Sequence, residues 1–353
     1  MNDIPKNKPH HPKDDEALEV PVRMPDPPVL QVGPEMAVAE DVHEVVTGEL
    51  VAGSSLWRDA WRRLLRNKLA VFGIVIVLLV TVASLIGPSI IKTTTGYAYD
   101  YIPKDNLLNK SLPPFRAPDG SFSWTHPMGT DNAGRDILAR VLSGGQISLM
   151  VALIATLVSL VIGVSYGALA GYLGGRVDDL MMRIVDVLYS LPYVIIVIVL
   201  LALLPAKTPT GQLAQLFFAL GAVSWLTMAR IVRGQVLSLK NQDFVLAARA
   251  TGVSTPKIVF RHLIPNVLGP VIVYATLTVP TVMLSEAFLS FLGLGVRPPR
   301  VSWGSLAAEG AQHLSVYPWQ LIFPGATMAL MLFSLNFLGD GLRDALDPQT
   351  RKE

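Results

Sequence analysis

The sequence predicts an all-α fold, a polytopic membrane helix bundle with six transmembrane helices. Three observations predict it. Of the 353 residues, 51% are hydrophobic and 16% are charged, against about 25% charged in soluble domains. The apolar residues gather in six stretches near 69–91, 147–171, 184–205, 213–231, 267–290 and 319–339, and about 20 such residues cross a bilayer. The basic residues between the stretches agree on one topology. Arg58, Arg62, Arg63, Arg66 and Lys68 precede the first stretch. Arg233, Lys240, Arg249, Lys257 and Arg261 lie between the fourth and fifth, and Arg343, Arg351 and Lys352 follow the sixth. Positive residues stay cytosolic, so both termini are expected in the cytosol.

The chain divides into a tail (1–56), a first span with a large outer loop (57–145), a core of spans (146–342) and a short tail (343–353). The tail up to residue 54 holds eleven acidic and four basic residues. The whole-chain charge of +2 therefore hides a tail at −7 and a body at +9. A Pro-rich, acidic segment with few aromatics cannot bury enough apolar surface to order itself, so disorder is expected there. It is either a dispensable solvated tail or a contact for the basic cytosolic face. The first stretch is too long for a signal peptide and follows a 68-residue lead, and it reads as an uncleaved anchor.

The outer loop from Lys92 to Gly145 begins irregularly. It ends in a predicted amphipathic helix, Gly134–Gly145, with Ile137, Leu138, Val141 and Leu142 on one face. In the second stretch, Gly163, Gly167 and Gly171 recur every four residues, which favours close helix packing within the bundle or with another subunit. At the start of the third, Asp179 and Arg183 stand four apart and Arg183 and Asp186 three apart, so local pairing is expected. Arg230 and Arg233 close the fourth. Glu286, near the outer end of the fifth, either bonds within the bundle, reaches the interface, or lines a pathway. Trp303, in a Gly/Pro-rich loop, reads as an interfacial anchor.

Between spans four and five lies an unusually long polar loop, 232–265. The stretch Asp243-Phe-Val-Leu-Ala-Ala-Arg-Ala-Thr-Gly252 reads as a short helix and a glycine break, with Phe244, Ala247 and Ala248 on one face. Gly252 permits the backbone turn that ends it. Ser254 or Thr255 caps a second helix with Pro256 in its first turn, and Pro265 is expected to stop it. A helical elbow on the membrane face is a docking surface for a cytosolic partner.

Several classes of chemistry find no support. There is no cysteine, so no thiol chemistry or disulfide framework is available. No Gly-Lys dipeptide occurs, so a phosphate-binding loop of that kind is missing. His126, His262 and His313 are isolated and show no metal-ligand spacing.

The elbow also carries a resemblance. Ala247-Ala248, three residues, Gly252, nine residues and His262-Leu263-Ile264-Pro265 resemble the Glu-Ala-Ala loop of bacterial ABC importer permeases. Leu246 stands where that loop has Glu, and His262 where it has Ile. His126-Pro-Met-Gly-Thr-Asp-Asn-Ala-Gly-Arg-Asp136, Asn241-Gln-Asp243, Leu289-Ser-Phe-Leu-Gly-Leu-Gly295 and Ser302-Trp-Gly304 are similar to the C-type permeases of dipeptide, oligopeptide and nickel importers. The likeness covers roughly residues 57–350. It implies a type I ABC importer permease-like bundle in the bacterial cytoplasmic (inner) membrane. The coupling loop would use Leu246, Ala247, Ala248, Arg249, Gly252, His262 and Pro265, with the small alanines facing the partner. Implied partners are a second homologous permease, two cytosolic ATPases, an extracytoplasmic substrate-binding protein and the lipid bilayer, with no nucleic acid. The subunit would not be an enzyme and would bind no cofactor; ATP and Mg would sit on the ATPases. Di- or oligopeptides are the implied substrate, with nickel, glutathione and sugars left open. Leu142-Ser-Gly-Gly-Gln146 spells the signature peptide of ABC ATPases, and without a phosphate loop it reads as a coincidence. Two other classes compete: an ion-coupled secondary transporter, which needs ionisable groups near the midplane, and an intramembrane enzyme, which needs paired catalytic groups there.

Overall fold

The computed structural model of the chain describes residues 56–103, 106–204 and 206–346. The expected disorder of the N-terminal tail falls outside these residues, as do Arg351 and Lys352. Among the described residues the structure is helical, with two isolated β-bridges, Arg116 with Phe122 and Thr130 with Asp136.

The basic cluster before the first span is itself a helix, α1 (Leu56–Arg66), with Ala60 and Leu64 buried and Trp61 and Leu65 exposed. Asn67 separates it from α2 (Lys68–Thr95) and caps α2, its side-chain oxygen accepting from the N–H groups of Leu69 at 3.1 Å and Ala70 at 3.2 Å. Such a cap satisfies donors that have no partner within the helix. After the short α3 (Asn106–Asn109), the outer loop folds back onto the bundle. His126 Nδ1 lies 2.8 Å from Asp136 Oδ2 with both side chains buried. Asp131 receives both Arg135 and the buried Arg140, and Arg140 also reaches Glu309 at 2.9 Å. At the tip of the loop, the Ser121 hydroxyl and N–H bond Asp119 at 2.6 and 2.9 Å and hold its carboxyl below the ordinary carboxylate range.

The separate amphipathic helix predicted over 134–145 does not exist. It merges with the second span into α4 (Ile137–Leu173), 37 residues long and about 55 Å at 1.5 Å per residue. Asp136 supplies its N-cap. There is no proline between 137 and 147. The glycines that suggested a boundary are packing contacts: a side chain at Gly145 would meet Ser84 and the Trp303 ring, and one at Gly144 would meet Ser302 and Trp303. That is the physical role of the Leu-Ser-Gly-Gly-Gln run.

The third span needs the largest correction. It is two helices, α5 (Gly175–Ser190) and α6 (Tyr193–Leu203), bent by 92° at Leu191-Pro192. Proline has no N–H and drives the residue before it out of the α region, and Leu191 is extended, with ψ 140°. Eleven residues of α6 cover about 16 Å, half of a bilayer core.

The chain continues through α7 (Pro209–Leu239), α8 (Asp243–Ala250), α9 (Thr255–Lys257), a π-helical turn (Ile258–Leu263), α10 (Ile264–Phe291), α11 (Trp303–Ala311) and α12 (Trp319–Leu346). Among the described residues, five helices are long and apolar enough to cross a membrane: α2, α4, α7, the run Thr255–Phe291, and α12. The bent pair makes a sixth only if counted as one span.

The spine of the bundle is α4 against α7. A side chain on Gly163 would strike Met228, one on Gly167 the Ala229 carbonyl, and one on Gly171 the Arg233 carbonyl and Val236. The glycine stripe therefore packs within this chain. Two ion pairs tie α5 to α7, and neither local pair expected on α5 forms. Arg233 grips Asp178 through Nε and Nη2 at 2.5 and 2.7 Å, and Arg230 Nη2 meets Asp186 at 2.7 Å. Of the carboxylates expected to pair locally, Asp186 is taken by an arginine of the neighbouring helix, a charge-assisted bond that leaves Arg183 without it.

Candidate functional site

At the basic end of the bundle, α8 forms the elbow. Its C-terminus is a Schellman turn. Gly252 has φ +74°, its N–H bonds the Arg249 carbonyl at 2.9 Å, and the Val253 N–H bonds the Ala248 carbonyl at 3.0 Å. This pairing satisfies the last carbonyls of the helix and needs a left-handed residue, hence glycine. Thr251 adds a hydroxyl bond to the Ala247 carbonyl at 3.1 Å.

The elbow faces differently from the sequence expectation. Val245 and Ala248 point inward, 0% and 7% exposed, onto Ile258, Val259 and Leu263. Phe244, Leu246 and Ala247 point outward, as does Phe260 on the following turn. Ala248 therefore packs against its own chain, and the outward face is apolar and larger than a pair of alanines. The one-residue offset between Phe244 and Val245 decides the face, and either assignment fits the helical period. Arg249 lies over the Tyr172 ring at 4.9 Å and donates to its hydroxyl at 3.2 Å, fixing α8 to the end of α4.

Pro265 does not stop the second helix. Thr255–Phe291 is continuous, because the turn before the proline widens to a π-helix in which the Ile264 N–H bonds the Val259 carbonyl. The wide turn makes room for a residue that lacks an N–H. Leu263 is buried within it, His262 is half-buried, and Pro265 is exposed.

Midway along α7 and α10, a cavity of about 710 Å³ opens inside the α5–α6 bend. Leu188 to Tyr193 form one wall, Val223, Ser224, Leu226 and Thr227 of α7 a second, and Tyr274, Thr278, Thr281 and Ser285 of α10 a third. The lining is hydroxylic and apolar, with no charged side chain. Several hydroxyls donate to their own helix: Ser224 to Leu220, Thr278 to Tyr274, Thr281 to Leu277 and Ser285 to Thr281, at 2.8–3.1 Å. Their protons are thus engaged, and their oxygens can accept bonds from a guest. This site was not anticipated from the sequence. Its signal was the hydroxyl spacing 274, 278, 281, 285, which repeats at i, i+4, i+7 and i+11 along one helix face.

The comparisons with known proteins bear on both places. A family model described as the inner membrane component of binding-protein-dependent transport systems matches residues 163–352. The chain belongs to this family. A second model, the N-terminal transmembrane domain of oligopeptide transport permease C, matches residues 55–114 of this transport component. It is 42% identical to the oligopeptide transport system permease protein OppC of Bacillus subtilis, over 90% of this chain and 97% of that one. It is 44% identical to the dipeptide transport system permease protein DppC of the same organism, over 84% and 87%. Among solved structures, a chain of the MetNI methionine ABC transporter in inward-facing conformations matches with 21% identity and a TM-score of 0.47, over 59% of this chain and 96% of its own. The protein is a multi-pass inner-membrane permease.

Glu286 sits beside the cavity but does not line it. It is 1% exposed, and its Oε1 accepts from the hydroxyls of Ser290 and Ser302, each at 2.7 Å. Ser302 caps α11, so the carboxyl joins α10 to the outer helix. Trp303 is part of the same node and is no surface anchor: it is 0% exposed, its N–H bonds Ser148 at 3.0 Å, and its ring N–H bonds the Val141 carbonyl at 2.8 Å. A buried indole nitrogen needs such an acceptor. The Ser302-Trp-Gly304 run is therefore a keystone between α4, α10 and α11.

Proposed function

We propose that this chain is the C-type permease of an ABC importer for di- and oligopeptides. The observation that carries the reading is near-full-length similarity to OppC and DppC permeases. The cavity supports it, because acceptor oxygens and apolar walls suit the N–H groups and varied side chains of short peptides. A second homologous permease completes the pathway from the opposite side. Two cytosolic ATPases carry ATP and Mg, and an external binding protein delivers substrate. The N- and C-termini lie in the cytosol, with the loop 232–265 as the coupling loop.

In this arrangement the outward face of α8, with Leu246, Ala247 and the exposed Arg249, docks into a cleft on one ATPase. Leu246 replaces a charged contact with an apolar one. Gly252, His262 and Pro265 shape the elbow, and the unbroken helix beyond it carries its motion to the cavity wall. An ion-coupled transporter would need an acidic, basic or histidine side chain on that wall, and among the described residues the lining has none.

The test is affinity purification from mildly solubilised membranes, with uptake measured in vesicles. Recovery of a second permease, ATPases and a binding protein, with ATP-dependent peptide uptake, is the expected result. Recovery of the chain alone, with uptake driven by an ion gradient and indifferent to ATP, overturns the reading.

A further inference from the structure

Resting on the peptide-permease reading, we propose that Arg230 and Asp186 form a charged rim at the cytosolic mouth of the cavity that takes the two termini of a departing peptide. The two ion pairs that join α5 to α7 differ in exposure. Arg233 and Asp178 are locked by two hydrogen bonds, with the carboxylate side chain 7% exposed. Nearer the cavity, Arg230 and Asp186 share one hydrogen bond of 2.7 Å, and their side chains are 38% and 62% exposed.

The exposed pair borders the cavity. The Arg230 guanidinium carbon lies 4.2 Å above the Tyr189 ring, and Tyr189 is part of the cavity wall. Thr227, one helical turn before Arg230, lines it as well. Charged side chains at the edge of a span face water or protein rather than lipid. The open side of this pair therefore marks the route out of the cavity on the elbow side.

The chemistry of the rim complements a zwitterion. Above it the walls are neutral and offer mainly acceptor oxygens. At the rim a guanidinium, with five N–H donors in a fixed fork, stands beside a carboxylate. A short peptide carries one carboxylate and one ammonium. Its carboxylate can take the Arg230 donors that Asp186 does not use, and its ammonium can take the free carboxylate oxygen. A single half-exposed bond exchanges readily with water and ligands, whereas the Arg233–Asp178 pair has two bonds to break and a buried carboxylate that would lose them. The rim thus holds the termini and leaves the side chains unread.

The chain has no cysteine, which permits a direct test on the assembled, nucleotide-free transporter in nanodiscs. A single cysteine replaces Thr227, and its maleimide labelling on this chain is followed with trialanine, trialanine amide or N-acetyl-trialanine present. The expected result is protection by trialanine, with about tenfold more of either blocked peptide needed for the same effect. Arg230→Gln should remove the difference between trialanine and its amide, Asp186→Asn the difference between trialanine and its N-acetyl form, and Arg230→Lys should keep most of the protection. Equal protection by all three peptides, or unchanged preferences in Arg230→Gln and Asp186→Asn, overturns the proposal. So does an absence of protection by trialanine in a transporter whose cells take trialanine up. Failure of those cells to take up trialanine at all counts against the peptide reading itself, and is scored separately.

Discussion

The two faces of α8 make opposite predictions. Val245 is fully buried in the elbow core, and Leu246, its neighbour, is 46% exposed. Val245→Ala removes two methyl groups at about 0.8 kcal/mol each and leaves a cavity, a cost of roughly 2 kcal/mol in stability. Leu246→Ala costs this chain less, because half of the side chain is already in water. If the exposed half is buried on an ATPase, its loss should weaken docking by about 0.7–1.4 kcal/mol, a 3- to 10-fold rise in Kd. Phe244→Ala should behave like Leu246→Ala. The assay pairs two readouts on nanodisc-reconstituted permeases: ATPase titration for Kd, and thermal unfolding followed by tryptophan fluorescence for stability. Leu246→Ala and Phe244→Ala should move the first, and Val245→Ala mainly the second. A carboxylate at Ala248 is predicted to act through folding, since Ala248 faces its own chain and a buried unpaired charge is costly. If Leu246→Ala and Phe244→Ala leave ATPase affinity unchanged while Val245→Ala lowers it without loss of stability, the assignment of faces is refuted.

The ion pairs, glycine stripe and outer node give further tests. Asp178→Ala should cost about 3 kcal/mol, the low end for a broken buried pair because a third of Arg233 is wet. Asp186→Ala should cost no more than about 1 kcal/mol, and equal shifts in thermal midpoint for the two would contradict the contrast. Gly167→Leu places atoms on the Ala229 carbonyl and should destabilise by about 1–3 kcal/mol through overpacking. Gly269→Leu, at an open position, serves as its control in the same melting assay. Trp303→Phe keeps most of the packing and loses the bond to the Val141 carbonyl. It should cost about 1–3 kcal/mol for the orphaned acceptor and lost volume, and an unchanged midpoint would remove the indole from the keystone role.

Composition made the spans legible, because a bilayer demands long apolar helices whatever their packing. The Schellman turn was legible as well, since Gly252 follows a helical run at the position where a left-handed residue is required. What failed was everything that depends on a neighbour in space. Pro192 stands inside the predicted third span, and its power to bend a helix by 92° was outweighed by the hydropathy around it. Pro265 was overread for the converse reason, since a widened turn absorbs it and no one-dimensional pattern announces such a turn. Asp186 had a nearby partner in sequence and took a better one on α7. Trp303 looked like a belt residue because its loop is outside a span, whereas the glycines that receive it lie about 160 residues earlier. The cavity hydroxyls were visible at helical spacing, but serine and threonine in membrane helices also serve packing, so the stripe gained meaning only beside the α5–α6 bend.

The π-turn at Ile258–Leu263 amounts to one surplus residue threaded into a helix that runs from the elbow to the outer end of the bundle. Each residue advances an α-helix by about 100°. The surplus therefore sets the angular phase between the face of α8 and the hydroxyl stripe on α10. A chain shortened by one residue there could regain an ordinary helix, yet its stripe would point about 100° away from the cavity. The wide turn is in this sense a phase adjuster: the residues on which α8 is seated and the pathway wall occupy one rod, and their mutual orientation is written in a count of residues.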